Sequence, residues 1–124
     1  MKRLFDMSDR LFQVGIKVIL IQIDEAHSSE WPMALENQPT PQKTFQDRID
    51  RAKEFVQKHD PPYNVYIDGW NNDFAETFRA WPDKYHAVND NLEVFAKAEY
   101  GTGSDGNAEA VVIEDYCDLL EKLM

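Results

Sequence analysis

Apolar residues recur at two different spacings along the chain. In some segments they fall every three or four residues, as in Val112, Tyr116, Leu119 and Leu123, which is typical of one face of a helix. In others they form short runs or alternate with charged residues, which is typical of strands. The predicted order is therefore α-β-α-β-α-β-β-α: helix 2–15, strand 17–23, helix 44–59, strand 65–67, helix 72–80, strands 86–88 and 93–100, and helix 112–123.

The run from Val18 to Ile23 contains five aliphatic residues and a single polar one. Such composition is typical of a strand buried on both faces, as in a parallel sheet covered by helices. We expect this strand to be central or nearly so. The other elements would then be arranged around it.

Local signals set the boundaries of several elements. Gly15 is placed to end the first helix. Thr44 suits an N-cap, with Asp47 three residues later as a relative of the capping box. Pro61 and Pro62 end that helix. The long irregular loop 24–43 between strand and helix is of the kind that serves function or a partner.

Composition narrows the class of protein. The chain has 124 residues, enough for a single domain with one core, and 43% of them are hydrophobic. A net charge of -10 without a Lys or Arg cluster makes a nucleic-acid or anionic-membrane partner unexpected. The longest apolar run is far below the roughly 20 residues of a spanning helix, so we expect a soluble, intracellular protein. Cys117 is the only cysteine; it falls beside the last helix's apolar stripe, which favours a buried structural thiol.

Polar side chains follow the main strand where it ends. Ligands of open α/β sheets bind at the carboxyl ends of strands, which is where Asp24, Glu25 and His27 stand. A carboxylate beside an imidazole raises the imidazole pKa and fixes its tautomer, so Glu25 and His27 could relay protons. Closing the loop by hydrogen bonding is the favoured alternative. Asp24, Glu25 and Asp68 could also bind a divalent cation, but a solvated acidic loop is preferred and we expect no metal or cofactor.

Two tryptophans follow strand ends. Trp31 and Trp70 could wall a pocket for an aromatic ligand. Covering an edge of the core is the alternative, and it is preferred.

Several segments together resemble the iodothyronine deiodinases and their bacterial relatives, over nearly the whole chain. Ile23 to Trp31, which reads IDEAHSSEW, resembles the family signature (I/V)-(D/E)-E-A-H-x-S-(D/E)-G-W. Three further segments are similar: Tyr66-Ile67-Asp68 with Asn71-Asn72 to V-D-x-x-x-N, Ala80 to Tyr85 to A-W-P-(D/E)-R-(L/Y), and Gly101 to Gly106 to G-(R/x)-G-P-(D/E)-G.

The resemblance implies a thioredoxin-like three-layer α/β fold and a redox chemistry. In that family a selenocysteine or cysteine at the start of the first helix is the nucleophile, and the Glu and His of the signature, here Glu25 and His27, shuttle protons. This sequence has no such nucleophile, and Thr102 stands where the family has a substrate-contacting Arg. Trp31 and Thr102 are the candidate substrate-contact positions.

The resemblance also implies that the first, central strand is missing, between strand 17–23 and the hairpin. One interpretation is an N-terminally truncated chain, the C-terminal part of a selenocysteine- or cysteine-dependent reductase whose start lies upstream. The other, which we favour, is a non-catalytic structural or interaction subunit whose sheet is completed by a strand from a protein partner or a second copy.

Overall fold

The computed structural model describes residues 1–24, 40–80, 84–98 and 113–124. These residues fall into two compact units, one formed by Met1–Lys17 with Asp83–Met124 and the other by Val18–Pro82. The mixed α/β class predicted from the sequence is confirmed, and so is the alternation of elements. The elements are α1 Lys2–Asp6, α2 Ser8–Gln13, β1 Ile19–Gln22, α3 Phe45–His59, β2 Asn64–Ile67, α4 Asp73–Phe78, β3 His86–Val88, β4 Val94–Lys97 and α5 Ile113–Leu123.

The second unit is built on a β-α-β arrangement. β1 and β2 pair in parallel, with Leu20 opposite Val65 and Ile21 opposite Tyr66. A parallel pair needs a crossover between its strands, and α3 lies in that crossover and packs on β2. Both strands therefore end at the same edge of the sheet, which brings the segments after Gln22 and Ile67 together.

β1 is less buried than its sequence predicts. Ile19 is 46% exposed, and the other three residues of the strand are half-buried. The expectation of a strand covered on both faces is therefore wrong for β1. Within the described part of the chain β1 pairs with β2 alone, so one edge of β1 has no neighbouring strand to shield its side chains.

The boundaries of α3 follow the predicted signals. Thr44 accepts a hydrogen bond from the Asp47 backbone N–H, and the Asp47 side chain accepts one from the Thr44 N–H, which completes the capping box. The Asp47 carboxylate accepts from the backbone N–H groups of Lys43 and Thr44, and these two donors hold its pKa below the usual value. The helix ends at Asp60 in the left-handed conformation, directly before Pro61.

The predicted helix over 2–15 is two short helices in the first unit. α1 and α2 meet at Met7, and α2 ends at Gln13. Gly15 has φ +78°, and the N–H groups of Gly15 and Ile16 donate to Phe12 O and Leu11 O, at 3.1 and 2.9 Å. This is a Schellman termination, which glycine favours because it adopts positive φ without a Cβ clash. The predicted stop at Gly15 is confirmed.

The core of the first unit lies between these helices and α5. The buried side chains that these helices contribute are Leu4, Met7, Leu11, Cys117 and Leu120. Ion pairs flank it on the surface: Arg3 reaches Glu114 and Asp118 at 2.6 and 2.9 Å, and Arg10 reaches Glu121 at 2.9 Å. These pairs are exposed and screened by solvent, so they add little to stability, and the apolar contacts hold α5.

The predicted hairpin is present as β3 and β4 in antiparallel pairing. Asn89 organises its turn, since its side-chain Oδ1 accepts from the N–H groups of Asn91 and Glu93, each at 3.0 Å. The pairing shifts register between Ala87 and Val88, which marks a β-bulge. The predicted regular alternation of buried and exposed residues in β4 therefore fails, and Val94 and Phe95 are both exposed.

Leu92, in the hairpin turn, is strained and exposed. Its φ is +63°, a left-handed conformation that costs a β-carbon-bearing residue roughly 1–2 kcal/mol, and the residue is 86% exposed. Because Asn tolerates this conformation better, Leu92→Asn should raise the free energy of unfolding by about 0.5–1 kcal/mol in urea denaturation. Leu92→Ala, which keeps the strain, is the control. Equal stability of the Asn and Ala variants would argue against strain at this position.

Candidate functional site at the carboxyl end of the parallel strands

A buried arginine lies where β1 and β2 end. Arg48, on α3, is 1% exposed and is the largest fully buried side chain among the residues described in the second unit. Over the described ranges of that unit the buried apolar residues are small, namely Val18, Ala52, Ala75 and Ala80. Arginine is almost never fully buried unless its donors are satisfied, so its partners explain its position.

Arg48 donates hydrogen bonds to two separate segments. Its Nη1 contacts the carbonyl oxygens of Asp68 and Gly69, at 3.3 and 2.8 Å. Its Nη2 donates to Asn72 Oδ1 at 2.8 Å, and its Nε donates to Gln42 Oε1 at 3.0 Å. The planar guanidinium has five N–H groups in a fixed fork, so one side chain fixes the segment after β2 and the segment before α3 together.

Two further groups surround the guanidinium. Its carbon lies 4.9 Å from the centre of the Trp70 ring, a cation–π contact. The Asp24 carboxylate, just after β1, lies 3.9 Å from Nη2 and is half exposed. The positive charge is therefore balanced by carbonyl dipoles, an aromatic face and one distant carboxylate. Trp70 is 43% exposed and covers the buried guanidinium, which agrees with the preferred interpretation of an aromatic that caps the core edge.

Asp68 serves α4. This carboxylate is 4% exposed, and its two oxygens accept from the backbone N–H groups of Phe74 and Ala75, each at 2.9 Å. These are first-turn donors that a helix cannot satisfy itself. Asp68 therefore caps α4 from outside the helix, because the N-cap residue Asn72 makes no side-chain cap bond. Each Asp68 oxygen thus has a backbone donor, which explains the buried carboxylate without a cation; its role as a cation ligand beside Asp24 and Glu25 is not tested, since Glu25 lies outside the described residues.

The four predicted site residues fall outside the described part of the chain. Glu25 and His27, the proposed proton relay, and Trp31 and Thr102, the proposed substrate contacts, all lie in the segments 25–39 and 99–112. Their roles stay predictions. Of the polar residues singled out at strand ends, the structure describes Asp24 and Asp68, and it places both beside the Arg48 network.

Sequence reasoning missed Arg48. Two apolar residues of α3, Phe45 and Val56, are 41% and 40% exposed, so apolar character alone does not identify the buried face. Arg48 stands four residues before buried Ala52 and so shares its helix face. That spacing was a usable signal, but a charged residue is ordinarily assigned to solvent.

The single cysteine does not have the properties of a nucleophile. Cys117 is 0% exposed, in agreement with the predicted structural thiol. Burial raises the pKa of the thiol, and nearby Glu114 adds to the shift. A reactive cysteine needs the opposite conditions, an accessible sulfur with a lowered pKa.

Thiol modification tests this assignment. At pH 8 Cys117 should react with Ellman's reagent at least about 100-fold more slowly in the native protein than in urea, because reaction awaits opening of the helix packing. A Phe12→Cys variant supplies an internal control, since Phe12 is 85% exposed. Its second thiol should react quickly while Cys117 stays protected. Equal rates for the two thiols would contradict the assignment.

Across the described ranges, no group of three or more His, Cys, Asp or Glu side chains is arranged to hold a metal ion. In the same ranges no helix has the length and apolarity needed to cross a membrane. No protein-family model matches this chain. A comparison with the curated proteins also finds no matching relative.

Proposed function

We propose that this chain is a non-catalytic interaction subunit with a deiodinase-like thioredoxin fold, in which the open edge of β1 accepts a strand from a partner protein. The proposal depends on one observation, the incomplete pairing and the exposure of β1. It is an aliphatic strand of the composition found inside parallel sheets, yet it pairs with one neighbour among the described residues and leaves Ile19 46% exposed.

The sheet face that includes Ile19 supports the same conclusion. Cross-strand partners share a face, so Ile19, Ile21 and Tyr66 lie together. Tyr66 is 48% exposed, whereas Val65 and Ile67 on the opposite face are half-buried. An added strand extends the backbone ladder of β1 and covers part of this apolar surface, which is how β-augmentation gains affinity and specificity.

The carboxyl ends of β1 and β2 are held in place, which favours binding of a partner strand. Arg48 and Asp68 hold the segment after β2 by buried hydrogen bonds, so the pair β1–β2 has a fixed carboxyl edge before a partner arrives. Preorganisation lowers the entropic cost of binding. The sole thiol is buried with a raised pKa, so it cannot replace the nucleophile that the resemblance requires.

The partner strand is expected to be apolar and β-branched, because the interior of a parallel sheet selects such residues. The test uses a synthetic probe, a peptide of alternating Val and Ile flanked by lysines for solubility. The measurement is amide hydrogen exchange by NMR. The probe should slow exchange at the outward-facing amides of Ile19–Gln22 by at least about 10-fold, because each gains a ladder hydrogen bond.

Two controls sharpen the result. The same peptide with a central proline cannot donate throughout the ladder and should have little effect. The amides of β4 report non-specific pairing and should not change. The proposal fails if the chain alone is a monodisperse monomer with every β1 amide protected, or if the probe leaves β1 unchanged. Protection supplied by residues encoded directly upstream of Met1 would favour the reductase-fragment alternative.

A further inference from the structure

The β3–β4 hairpin has one covered face and one open face. The covered face contacts α5, since Tyr85 stacks on Tyr116 with ring centres 4.7 Å apart, and Ala98, whose N–H donates to the Tyr85 carbonyl oxygen, is 5% exposed. On the open face Val88 pairs with Val94, and these residues are 48% and 45% exposed. The hairpin and α5 belong to the same compact unit.

The β-bulge enlarges the apolar surface of the open face. Ala87 pairs with Ala96 and Val88 with Val94, so Phe95 is the extra residue of β4. In a bulge two residues of one strand stand opposite a single residue of the other. Val94 and Phe95 are therefore both exposed, at 45% and 49%, whereas regular alternation would turn one of them inward.

Leu92, in the turn between these strands, is unfavourable in two ways. Its φ is +63°, which Asn, Asp and Gly adopt more easily, and the residue is 86% exposed. The Asn89 side chain holds the turn, because its Oδ1 accepts from the N–H groups of Asn91 and Glu93 at 3.0 Å. Strain that the surrounding bonds enforce is typical of binding sites. A partner that covers Leu92 would explain why an apolar residue occupies this position.

The charges and the layers around the hairpin indicate what kind of partner fits. Asp90 and Glu93 are exposed on either side of Leu92, and the chain has a net charge of -10. An exposed apolar patch bordered by polar residues marks an interaction site, and basic groups on the partner would complement this border. The apolar face of a sheet is commonly covered by a helix, and α5 already covers the opposite face.

We propose that the open face of the hairpin, formed by Val88, Val94 and Phe95 with Leu92 in the turn, binds an amphipathic helix of a partner protein, whose apolar face is bordered by lysines or arginines. A helix here contacts side chains, whereas β1 of the proposed function binds a strand through its backbone, so neither proposal depends on the other. The interface is small and belongs to the weak class, with a dissociation constant on the order of 100 μM.

The probe is a synthetic helical peptide of about five turns, with leucines along one face and lysines on both borders of that face. It is titrated into the full chain in about 0.15 M salt, and methyl NMR follows binding. The methyl resonances of Val88, Leu92 and Val94 should shift and saturate together. A peptide of the same composition, scrambled so that it has no apolar face, should bind at least about 10-fold more weakly.

Leu92→Asn removes apolar area from the proposed interface and relieves the strain in the turn, so the hairpin stays folded. It should weaken binding of the peptide about 10-fold. Phe12→Asn is the matched control, because it removes an apolar side chain from α2 at a residue that is 85% exposed. This control should bind the peptide as the wild type does.

A pair of charge variants tests the acidic border. Asp90→Asn combined with Glu93→Gln should weaken binding at least about 3-fold, because the lysines of the peptide lose their nearest opposite charges. Asp9→Asn combined with Asp115→Asn removes the same amount of charge at exposed helix positions and should change the affinity less than about 2-fold.

Four results overturn the proposal. The first is equal affinity of the wild type and Leu92→Asn for the peptide, and the second is an equal effect of the two double charge variants. The third is a concentration-dependent shift of the Leu92 methyl resonances in the free chain up to about 1 mM, which would assign this face to a second copy. The fourth is co-sedimentation of the free chain with phosphatidylcholine vesicles that Leu92→Asn abolishes, which would assign it to a lipid surface.

Discussion

Replacing Arg48 with methionine should lower the free energy of unfolding by about 3–5 kcal/mol, the largest effect expected of any single substitution in this chain. Methionine fills much of the arginine's volume but donates no hydrogen bond. The carbonyl oxygens of Asp68 and Gly69 and the side-chain oxygens of Gln42 and Asn72 would each lose a donor. A buried acceptor left without a donor costs about 1–3 kcal/mol, less where water enters.

Urea denaturation followed by circular dichroism measures the change. Arg48→Lys keeps the positive charge but not the planar guanidinium and its five donors, so it should lose less stability than Arg48→Met but remain less stable than the wild type. Arg51→Met is the matched control on the same helix: Arg51 is partly exposed and contacts Thr40 and Glu54 at the surface, and its loss should cost about 1 kcal/mol or less. An Arg48→Met protein within 1 kcal/mol of the wild type would show that the network does not stabilise the sheet edge.

The stability of this unit explains why a buried arginine has so large an effect. Among its described residues the buried apolar side chains are Val18 and three alanines, which together remove little apolar area from water. Domains of this size are stable by about 5–15 kcal/mol. The hydrogen bonds of Arg48 therefore contribute a larger fraction of the free energy of unfolding here than they would in a core filled by large aliphatic residues.

The sequence was informative wherever a local signal decides the structure. The Thr44–Asp47 capping box and the Gly15 termination each depend on a few adjacent residues, and both are confirmed. The order of elements also follows from local periodicity. These features are fixed by backbone groups that must find donors or acceptors nearby.

The features that the sequence did not reveal depend on distant residues. Arg48 is buried because carbonyls 20 and 21 residues later converge on it. β1 is exposed because no second neighbour pairs with it among the described residues, although its composition is that of an interior strand. The bulge in the hairpin depends on the register of two strands. Periodicity within one segment contains no information about such pairings.

Asp68 and Arg48 belong to one network, and their substitutions should not be additive. Arg48 donates to the Asp68 carbonyl oxygen while the Asp68 carboxylate caps α4, so the position of each group depends on the other. Groups in one hydrogen-bond network show interaction energies of about 0.5–3 kcal/mol in double-mutant cycles. The double variant should therefore lose less stability than the sum of the single losses.

Asp68→Ala should lower the free energy of unfolding by about 2–4 kcal/mol, because it removes the acceptor from two first-turn donors of α4 at a buried position. At low urea concentrations the loss of stability should be confined to α4. Hydrogen exchange at the Phe74 and Ala75 amides should accelerate at urea concentrations where α3 remains protected.

Asp68→Asn retains one oxygen and should lose about half as much stability as Asp68→Ala. Asp73→Asn, at an exposed carboxylate of the same helix, should cost less than about 0.5 kcal/mol. If Asp68→Ala leaves those two amides as protected as in the wild type, another group caps α4, and the buried carboxylate must be explained by its proximity to Arg48.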